Sequence, residues 1–252
     1  MVKGLDVFRN HFRDYINRYI LIGGTACDLA MEEAGLPFRA TKDLDIVLCI
    51  EALDREFVEA FWNFIRRGGY QSQEKASGKK QFYRFTNPAY KTFPYMLELF
   101  SRKPDALSIA DDNHLTPIPI NDEVASLSAI LLDDGYYSFI TQGKRERDEL
   151  PFIGADRLIP LKAKAWLDLN QRKQLSETID SKNIRKHMND VFRLYQIADP
   201  SLRISLPANI ARDLRLFFSL IPAETIDLKS LGLGTTTIES IITELKRMYG
   251  LN

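Results

Sequence analysis

Residues 19–50, YILIGGTACDLAMEEAGLPFRATKDLDIVLCI, decide how this chain folds. The stretch begins with four apolar residues, Tyr19–Ile22, a run short enough for a buried strand, which ends at two glycines. Thr25 stands at the position of a helix N-cap, and the residues after it have helical spacing until a Gly-Leu-Pro sequence stops them. A second apolar run begins at Asp43. The pattern predicts a strand, a glycine turn, a helix, a loop and a second strand.

Two aspartates, Asp43 and Asp45, begin the second predicted strand. Side chains alternate across a strand, so both carboxylates leave the same face, about 7 Å apart. Paired carboxylates repel each other unless a cation lies between them, and they suit Mg²⁺, which completes its octahedron with water and phosphate oxygens. The alternative is an ordinary Asp-x-Asp pair on a solvated strand. The apolar run favours the metal site, because unpaired carboxylates are costly there.

Gly23 and Gly24 lie where the chain turns from the first strand into the helix. Without a Cβ they let the backbone come close to a ligand, and the helix directs its free N–H groups and positive dipole end at an anion. The alternative is a simple turn. Together with the two aspartates, the glycines predict that a triphosphate lies between a helix N-terminus and a metal pair.

The order strand, Gly-Gly-Thr-Ala, helix, Arg-x-Thr-x-Asp-Leu-Asp, strand resembles the nucleotidyltransferase superfamily that includes DNA polymerase β. The Gly-Gly-Thr-Ala form, and Arg39 and Thr41 before Asp43, resemble the AbiEii group, which are toxin components of bacterial toxin–antitoxin and phage-abortive-infection systems. The resemblance is strong over residues 19–50 and weaker beyond them. It implies an α+β fold, with a nucleotidyltransferase-like mixed β-sheet lobe and flanking helices, followed by a C-terminal helical bundle lobe.

The resemblance also implies an activity. It predicts a nucleotidyltransferase of the EC 2.7.7 type, which uses two Mg²⁺ ions to transfer NMP from an NTP to an acceptor hydroxyl. The implied acceptor is RNA, such as tRNA, or a protein, and an antitoxin protein is an implied partner. The alternatives are a small-molecule acceptor such as an aminoglycoside, and a non-catalytic nucleotide-binding or partner-binding domain.

Glu98 is the candidate for a third catalytic carboxylate. It is the lone acid of a strongly apolar predicted strand, where an unpartnered charge is expensive. In the superfamily a third carboxylate on a neighbouring strand completes the metal site. The resemblance therefore implies that Asp43, Asp45 and Glu98 are both catalytic residues and metal ligands. The alternative is a structural ion pair of Glu98 with Arg84 or Arg102.

Two lysines of the C-terminal half extend the implied site. The AbiEii group carries a Lys near the start of one helix and a Lys/Arg-rich stretch with an Asp on the next, which match Lys162 and residues 182–190 here. A lysine directed at the cleft would neutralise triphosphate charge. The alternative is that these lysines lie on an exposed helix face. The implied nucleotide-binding residues are Gly23, Gly24, Thr25, Arg39, Thr41, Lys162 and Lys186.

Composition limits the remaining possibilities. The 252 residues include 34 Lys and Arg and 34 Asp and Glu, so the formal net charge is zero and any RNA site must be a local patch. Cys27 and Cys49 lie in apolar stretches, which suits a reducing cytosol. The first ten residues lack the apolar core of a signal peptide, and no run is long enough to span a membrane. We therefore expect a cytoplasmic protein with no membrane partner.

Helical spacing dominates the chain from residue 156 onward. It predicts a nucleotidyltransferase catalytic domain at residues 1–155 and a helical C-terminal domain at residues 156–252. Within the first domain, strands are expected at residues 81–85, 95–100 and 136–140, and a solvated turn at residues 144–149.

Overall fold

The structure is a computed structural model, and it describes residues 2–49, 52–72, 82–100, 133–175 and 179–251. The described strands form a seven-stranded mixed sheet in the order β3-β4-β5-β2-β1-β7-β6. The strands are β1 Tyr19–Ile22, β2 Asp43–Leu48, β3 Gln71–Ser72, β4 Phe82–Thr86, β5 Met96–Phe100, β6 Lys144–Arg147 and β7 Leu150–Ile153. Central β2 pairs antiparallel with β1 and parallel with β5.

Helices account for most of the other described residues. They are α1 Leu5–Phe12, α2 Gly23–Glu33, α3 Arg55–Gly68, α4 Asp134–Gln142, α5 Ala155–Gln174, α6 Ser181–Tyr195, α7 Ala208–Leu220 and α8 Ile238–Met248, with 3₁₀ turns at Arg13–Tyr15 and Ile221–Ala223. The predicted α+β class is confirmed. No helix of the described residues has the length and apolar character needed to cross a membrane.

The described elements group into two compact units. The first unit contains the whole sheet and helices α1, α2 and α3, and the second contains α4 to α8. The chain therefore enters the second unit at α4, returns to the sheet for β6 and β7, and enters the second unit again at α5. The predicted domains at residues 1–155 and 156–252 stay a prediction.

One face of the sheet is buried by an aromatic cluster. Tyr19 of β1 lies opposite Leu48 of β2 in the register, and Leu48 is an odd number of residues from Asp45. Tyr19 and Asp45 therefore lie on opposite faces. The cluster joins α1 and α3 to the face of Tyr19, and its buried rings are Phe8, Phe12, Tyr19, Phe57, Phe61, Phe64 and Phe85. This packing leaves the acidic residues of β2 on the other face.

The strand predicted at residues 136–140 is wrong. These residues belong to helix α4, and Asp133 caps it, since its Oδ1 accepts hydrogen bonds from the N–H groups of Gly135 (2.8 Å) and Tyr136 (3.1 Å). The buried side chains are Tyr136, Tyr137, Phe139 and Ile140, a spacing that forms one helical face. A stretch rich in tyrosine and phenylalanine has strand propensity, but the cap and this face outweigh it.

The solvated turn predicted at residues 144–149 is also wrong. Strand β6 pairs antiparallel with β7, a strand that the sequence patterns do not predict. The loop between them is the pair Asp148 and Glu149, which both have positive φ, 50° and 61°. Two-residue hairpins need this conformation, and Asn-Gly or Asp-Gly is its usual sequence. An Asp-Glu pair gives no such signal, which explains why the hairpin is not evident in the sequence.

Candidate active site

Three carboxylates lie on the face of the sheet opposite the aromatic cluster. Asp43 and Asp45 are two residues apart on β2, and Glu98 of β5 is in register with Asp45. Residues in register on paired strands point to the same face, about 4.8 Å apart in the pairing direction. Asp45 is 8% exposed and Glu98 6%, whereas Asp43 is half-buried. The structure thus places the three predicted acids on one face of the sheet, with Asp45 and Glu98 at directly paired positions.

Two features of the surroundings of Glu98 disfavour its ionised form. Burial raises the pKa of the Glu98 carboxyl, and the neighbouring Asp45 carboxylate raises it further. Arg84 opposes this shift in pKa, because its Nε and Nη2 donate to Glu98 Oε1 at 2.8 and 2.5 Å. The ion pair that was the alternative for Glu98 is therefore present with Arg84, while Arg102 lies outside the described residues. Glu98 is both ion-paired and adjacent to Asp45.

The two glycines of the turn lie directly against these acids. Gly23 has φ +63°, and a Cβ added there would overlap the Asp45 carboxyl. The N–H of Gly24 donates to Asp45 Oδ2 at 3.3 Å, and a Cβ on Gly24 would lie 2.5 Å from Thr41 Oγ1. Only glycine fits these contacts without a shift of the neighbouring side chains. The backbone of this turn thus comes close to Asp45, and its predicted contact with a phosphate stays a prediction.

Thr25 does not cap helix α2, because the helix begins at Gly23. Its hydroxyl is fully buried and donates to the carbonyl oxygen of Asp43 at 2.7 Å. A glycine pair usually ends a strand in a turn, so the sequence favours a helix start after it, whereas here the glycines form the first turn of the helix. Thr25 thus ties α2 to the first residue of β2.

Arg39 and Thr41 lie on the segment between α2 and β2. Arg39 is half-buried, and its guanidinium lies 5.1 Å from the centre of the Phe38 ring. Thr41 is half-buried beside Gly24. Their predicted contacts with nucleotide stay predictions.

Lys162 and Lys186 belong to the helical unit. Lys162 on α5 is 5% exposed, and its Nζ lies 3.1 Å from Oδ2 of Asp190, a fully buried residue on α6. Arg193 also contacts Asp190, at 3.3 Å. Lys186 is half-buried on α6. Lys162 therefore does not lie on an exposed helix face, since it forms a buried ion pair between two helices, and its predicted contact with nucleotide stays a prediction.

The donor set of the acidic face suits Mg²⁺. Within the described ranges, no group of three or more His, Cys, Asp and Glu side chains is arranged to hold a metal ion. Mg²⁺ does not need such a cage, because it binds through one or two carboxylates and takes its other ligands from water and phosphate. Asp45 and Glu98 are two adjacent, buried carboxylates whose mutual repulsion a divalent cation relieves. The residues therefore fit the ion.

Comparison with known proteins adds structural similarities at low identity. No protein-family model and no curated protein matches the sequence. The chain is similar to the crystal structure of an antigenic nucleotidyltransferase-like protein from Paracoccidioides brasiliensis, with 16% identity, a TM-score of 0.47, and coverage of 89% of this chain and 88% of that chain. It is also similar to the Megavirus polyadenylate synthase, with 14% identity, a TM-score of 0.41, and coverage of 88% of this chain and 36% of that chain.

Proposed function

We propose that this protein is a Mg²⁺-dependent nucleotidyltransferase. The observation that carries the proposal is the adjacency of Asp45 and Glu98 on one face of the sheet, with Asp43 on the same face and the Gly23-Gly24 turn against Asp45. Acids that bind metal and a glycine turn that admits phosphate are the two requirements of the reaction. Asp43, Asp45 and Glu98 are the proposed metal ligands, and the cofactor is two Mg²⁺ ions.

In the proposed reaction, an acceptor hydroxyl oxygen bonds to the α-phosphorus of an NTP. The P–O bond to the β-phosphate breaks, pyrophosphate leaves, and the acceptor proton passes to solvent. Mg²⁺, when bound, polarises phosphoryl oxygens and favours ionisation of the acceptor hydroxyl. Gly23 and Gly24 would hold the phosphates through N–H groups of the first turn of α2, where the N–H of Gly24 now donates to Asp45. Thr25 holds this turn in place against β2.

The further nucleotide contacts are proposed from the resemblance to the AbiEii group. Arg39, Thr41, Lys162 and Lys186 would contact the NTP, and the acceptor would be RNA, such as tRNA, or a protein. An antitoxin partner belongs to the same proposal. A small-molecule acceptor is the second candidate, and the formal net charge of zero favours it, because there is no global attraction for nucleic acid.

Transfer of label from each of the four α-labelled NTPs tests the activity and the acceptor together. The protein is incubated with Mg²⁺ and with total RNA, with total protein, and alone. We expect label in one fraction, its loss in Asp43→Ala, and its retention in Asp6→Ala, which removes an exposed carboxylate of α1. Full activity of Asp43→Ala would contradict the site. Magnesium-dependent nucleotide binding with no transfer to any acceptor, aminoglycosides included, would support a non-catalytic domain instead.

A further inference from the structure

Arg84 lies on β4 directly opposite Glu98 in the register of β4 and β5. The side chains of this ion pair are 14% and 7% exposed, so the pair is formed away from bulk water. Glu98 has Arg84 on the strand at one side and Asp45 on the strand at the other. The candidate third ligand therefore stands between a cation and a second carboxylate.

Arg84 donates two hydrogen bonds to one oxygen of Glu98. Nε and Nη2 both donate to Oε1, at 2.8 and 2.5 Å. Two donors on one oxygen hold that oxygen in a more defined position than a single point charge does. Both of these contacts go to Oε1, so Arg84 fixes the position of this oxygen.

We propose that Arg84 is a positioning residue, which holds the Glu98 carboxylate in the orientation in which it binds the metal ion beside Asp45. The inference rests on the proposed nucleotidyl transfer and assigns Arg84 a role in it that the sequence motifs do not indicate. Carboxylates that ligate metals are themselves held by hydrogen bonds, and loss of such an outer partner typically lowers metal affinity about 10- to 100-fold. Arg84 provides this support through β4, a strand that carries no proposed ligand.

A competing role for Arg84 has the opposite sign. If Arg84 were a counter-ion that a metal must displace, its removal would make metal binding tighter. Weaker metal binding after removal of Arg84 would therefore indicate that Arg84 supports the ligand, and tighter binding would indicate that it competes with the metal.

Arg18 offers a matched control in the same unit. Its Nε and Nη2 donate to one oxygen of Asp54, Oδ2, at 3.0 and 2.6 Å. Asp54 caps helix α3. Arg18→Gln therefore removes a contact of the same geometry that involves none of the proposed ligands.

The experiment is a titration with Mn²⁺, in which electron paramagnetic resonance measures the free ion, for the wild type, Arg84→Gln, Arg84→Lys, Arg18→Gln and Asp45→Asn. Far-UV circular dichroism and thermal unfolding confirm that each variant is folded. We expect about 10-fold weaker binding in Arg84→Gln, a smaller loss in Arg84→Lys, wild-type affinity in Arg18→Gln, and the largest loss in Asp45→Asn. If Arg84→Gln does not fold, Arg84→Lys alone tests the inference. The inference then requires that Arg84→Lys binds Mn²⁺ more weakly than the wild type does.

Two results would overturn the inference, and they are distinguishable. Loss of Mn²⁺ binding in Asp45→Asn, with unchanged or tighter binding in the Arg84 variants, would leave the proposed function in place and remove the role of Arg84. Absence of Mn²⁺ binding in the wild type would overturn the proposed function, and this inference with it. An affinity for Mn²⁺ in Arg84→Lys between those of the wild type and Arg84→Gln would separate positioning from a purely structural contribution. The two variants would then be equally folded and still differ in their affinity for Mn²⁺.

Discussion

At the scale of single residues, the site depends on a glycine in a left-handed conformation against a carboxylate. Gly23 has φ +63° and no room for a Cβ beside Asp45, whereas Gly35 has φ +72° and no atom within 4 Å of the position of a Cβ. The two glycines share the same backbone requirement, and only one of them contacts the acids. A comparison of their alanine variants therefore separates backbone strain from displacement of Asp45.

We expect Gly35→Ala to lower the free energy of unfolding by about 1 kcal/mol through backbone strain alone, with transfer activity unchanged. Gly23→Ala carries the same strain and also pushes the Asp45 carboxyl aside. It should destabilise the protein further and lower transfer by about 100-fold, the typical effect of a misplacement near 1 Å. Urea denaturation and the labelling assay measure both effects, and equal activities of the two variants would exclude the contact as a requirement.

The second prediction at this scale concerns His11. Its Nδ1 lies 3.1 Å from Arg67 Nη1, which can only donate, and its Nε2 lies 2.9 Å from the carbonyl oxygen of Ala60. The ring is therefore neutral, with its proton on Nε2. Burial lowers the pKa of His11 and the charge of Arg67 lowers it further, although the contact with Ala60 opposes the shift.

A lowered pKa means that the unfolded chain binds a proton that the folded protein does not. Stability contributed by the neutral ring is thus complete above pH 6.5 or so and declines as the pH falls below that value. In urea denaturation between pH 7 and pH 5, we expect a shallower decline of the unfolding free energy in His11→Gln than in the wild type. If the unfolding free energy declines with the same slope in the wild type and in His11→Gln, then His11 has the same pKa in the folded and the unfolded state.

The sequence predicts the acids and glycines of the site because each differs in polarity or size from the residues next to it. Asp43, Asp45 and Glu98 interrupt apolar strands, and the glycine pair stands at a strand end. The contact with Arg84 was one of two alternatives, since sequence alone does not show which arginine lies in register with Glu98. The partners of Lys162 depend on how two helices meet, which no local pattern contains.

At the scale of elements, the contact between α5 and α6 includes the buried pair of Lys162 and Asp190. Lys162→Met leaves Asp190 buried with Arg193 still in contact, at 3.3 Å. We expect a loss of about 3 kcal/mol in unfolding free energy, and recovery of much of it in Lys162→Met/Asp190→Leu, because an apolar pair of similar volume replaces a buried ion pair at little cost. Thermal and urea unfolding of the single and double variants measure this.

The same two variants test the nucleotide contact that the resemblance implies for Lys162. If Lys162 binds NTP, the double variant regains stability but still binds NTP weakly. Recovery of both stability and NTP affinity would assign Lys162 a structural role only.

Sequence patterns predict the elements whose signal is local and periodic. Strands β1, β2 and β5 lie where the apolar runs place them, and helices α5 to α8 account for the helical spacing from residue 156 onward. The aromatic residues of α4 favour strands, which is why the sequence predicts a strand there, and the β6–β7 hairpin gives no sequence signal because its turn has neither glycine nor asparagine. In both cases tertiary packing outweighs a residue's intrinsic preference.

At the scale of the whole molecule, the chain passes between its two compact units more than once. Helix α4 packs in the helical unit, where the Tyr136 hydroxyl donates to Asp213 of α7 at 3.1 Å. A fragment of residues 1–155 keeps the seven described strands but loses α7, so Tyr136 of α4 loses its contact with Asp213. We expect this fragment to aggregate or to unfold without cooperativity. A soluble fragment with a cooperative thermal transition would instead support the division at residue 155.

The parallel pairing of β1 with β7, which joins Leu21 to Phe152, bears on how the protein is made. A ribosome that adds about 5–20 residues per second needs on the order of ten seconds to pass from one strand to the other. During that interval one edge of β1 has no neighbour, and an apolar strand with an open edge is a template for association with other nascent chains. Synthesis of β7 closes that edge, so the risk of aggregation is concentrated in the nascent chain before β7 has emerged.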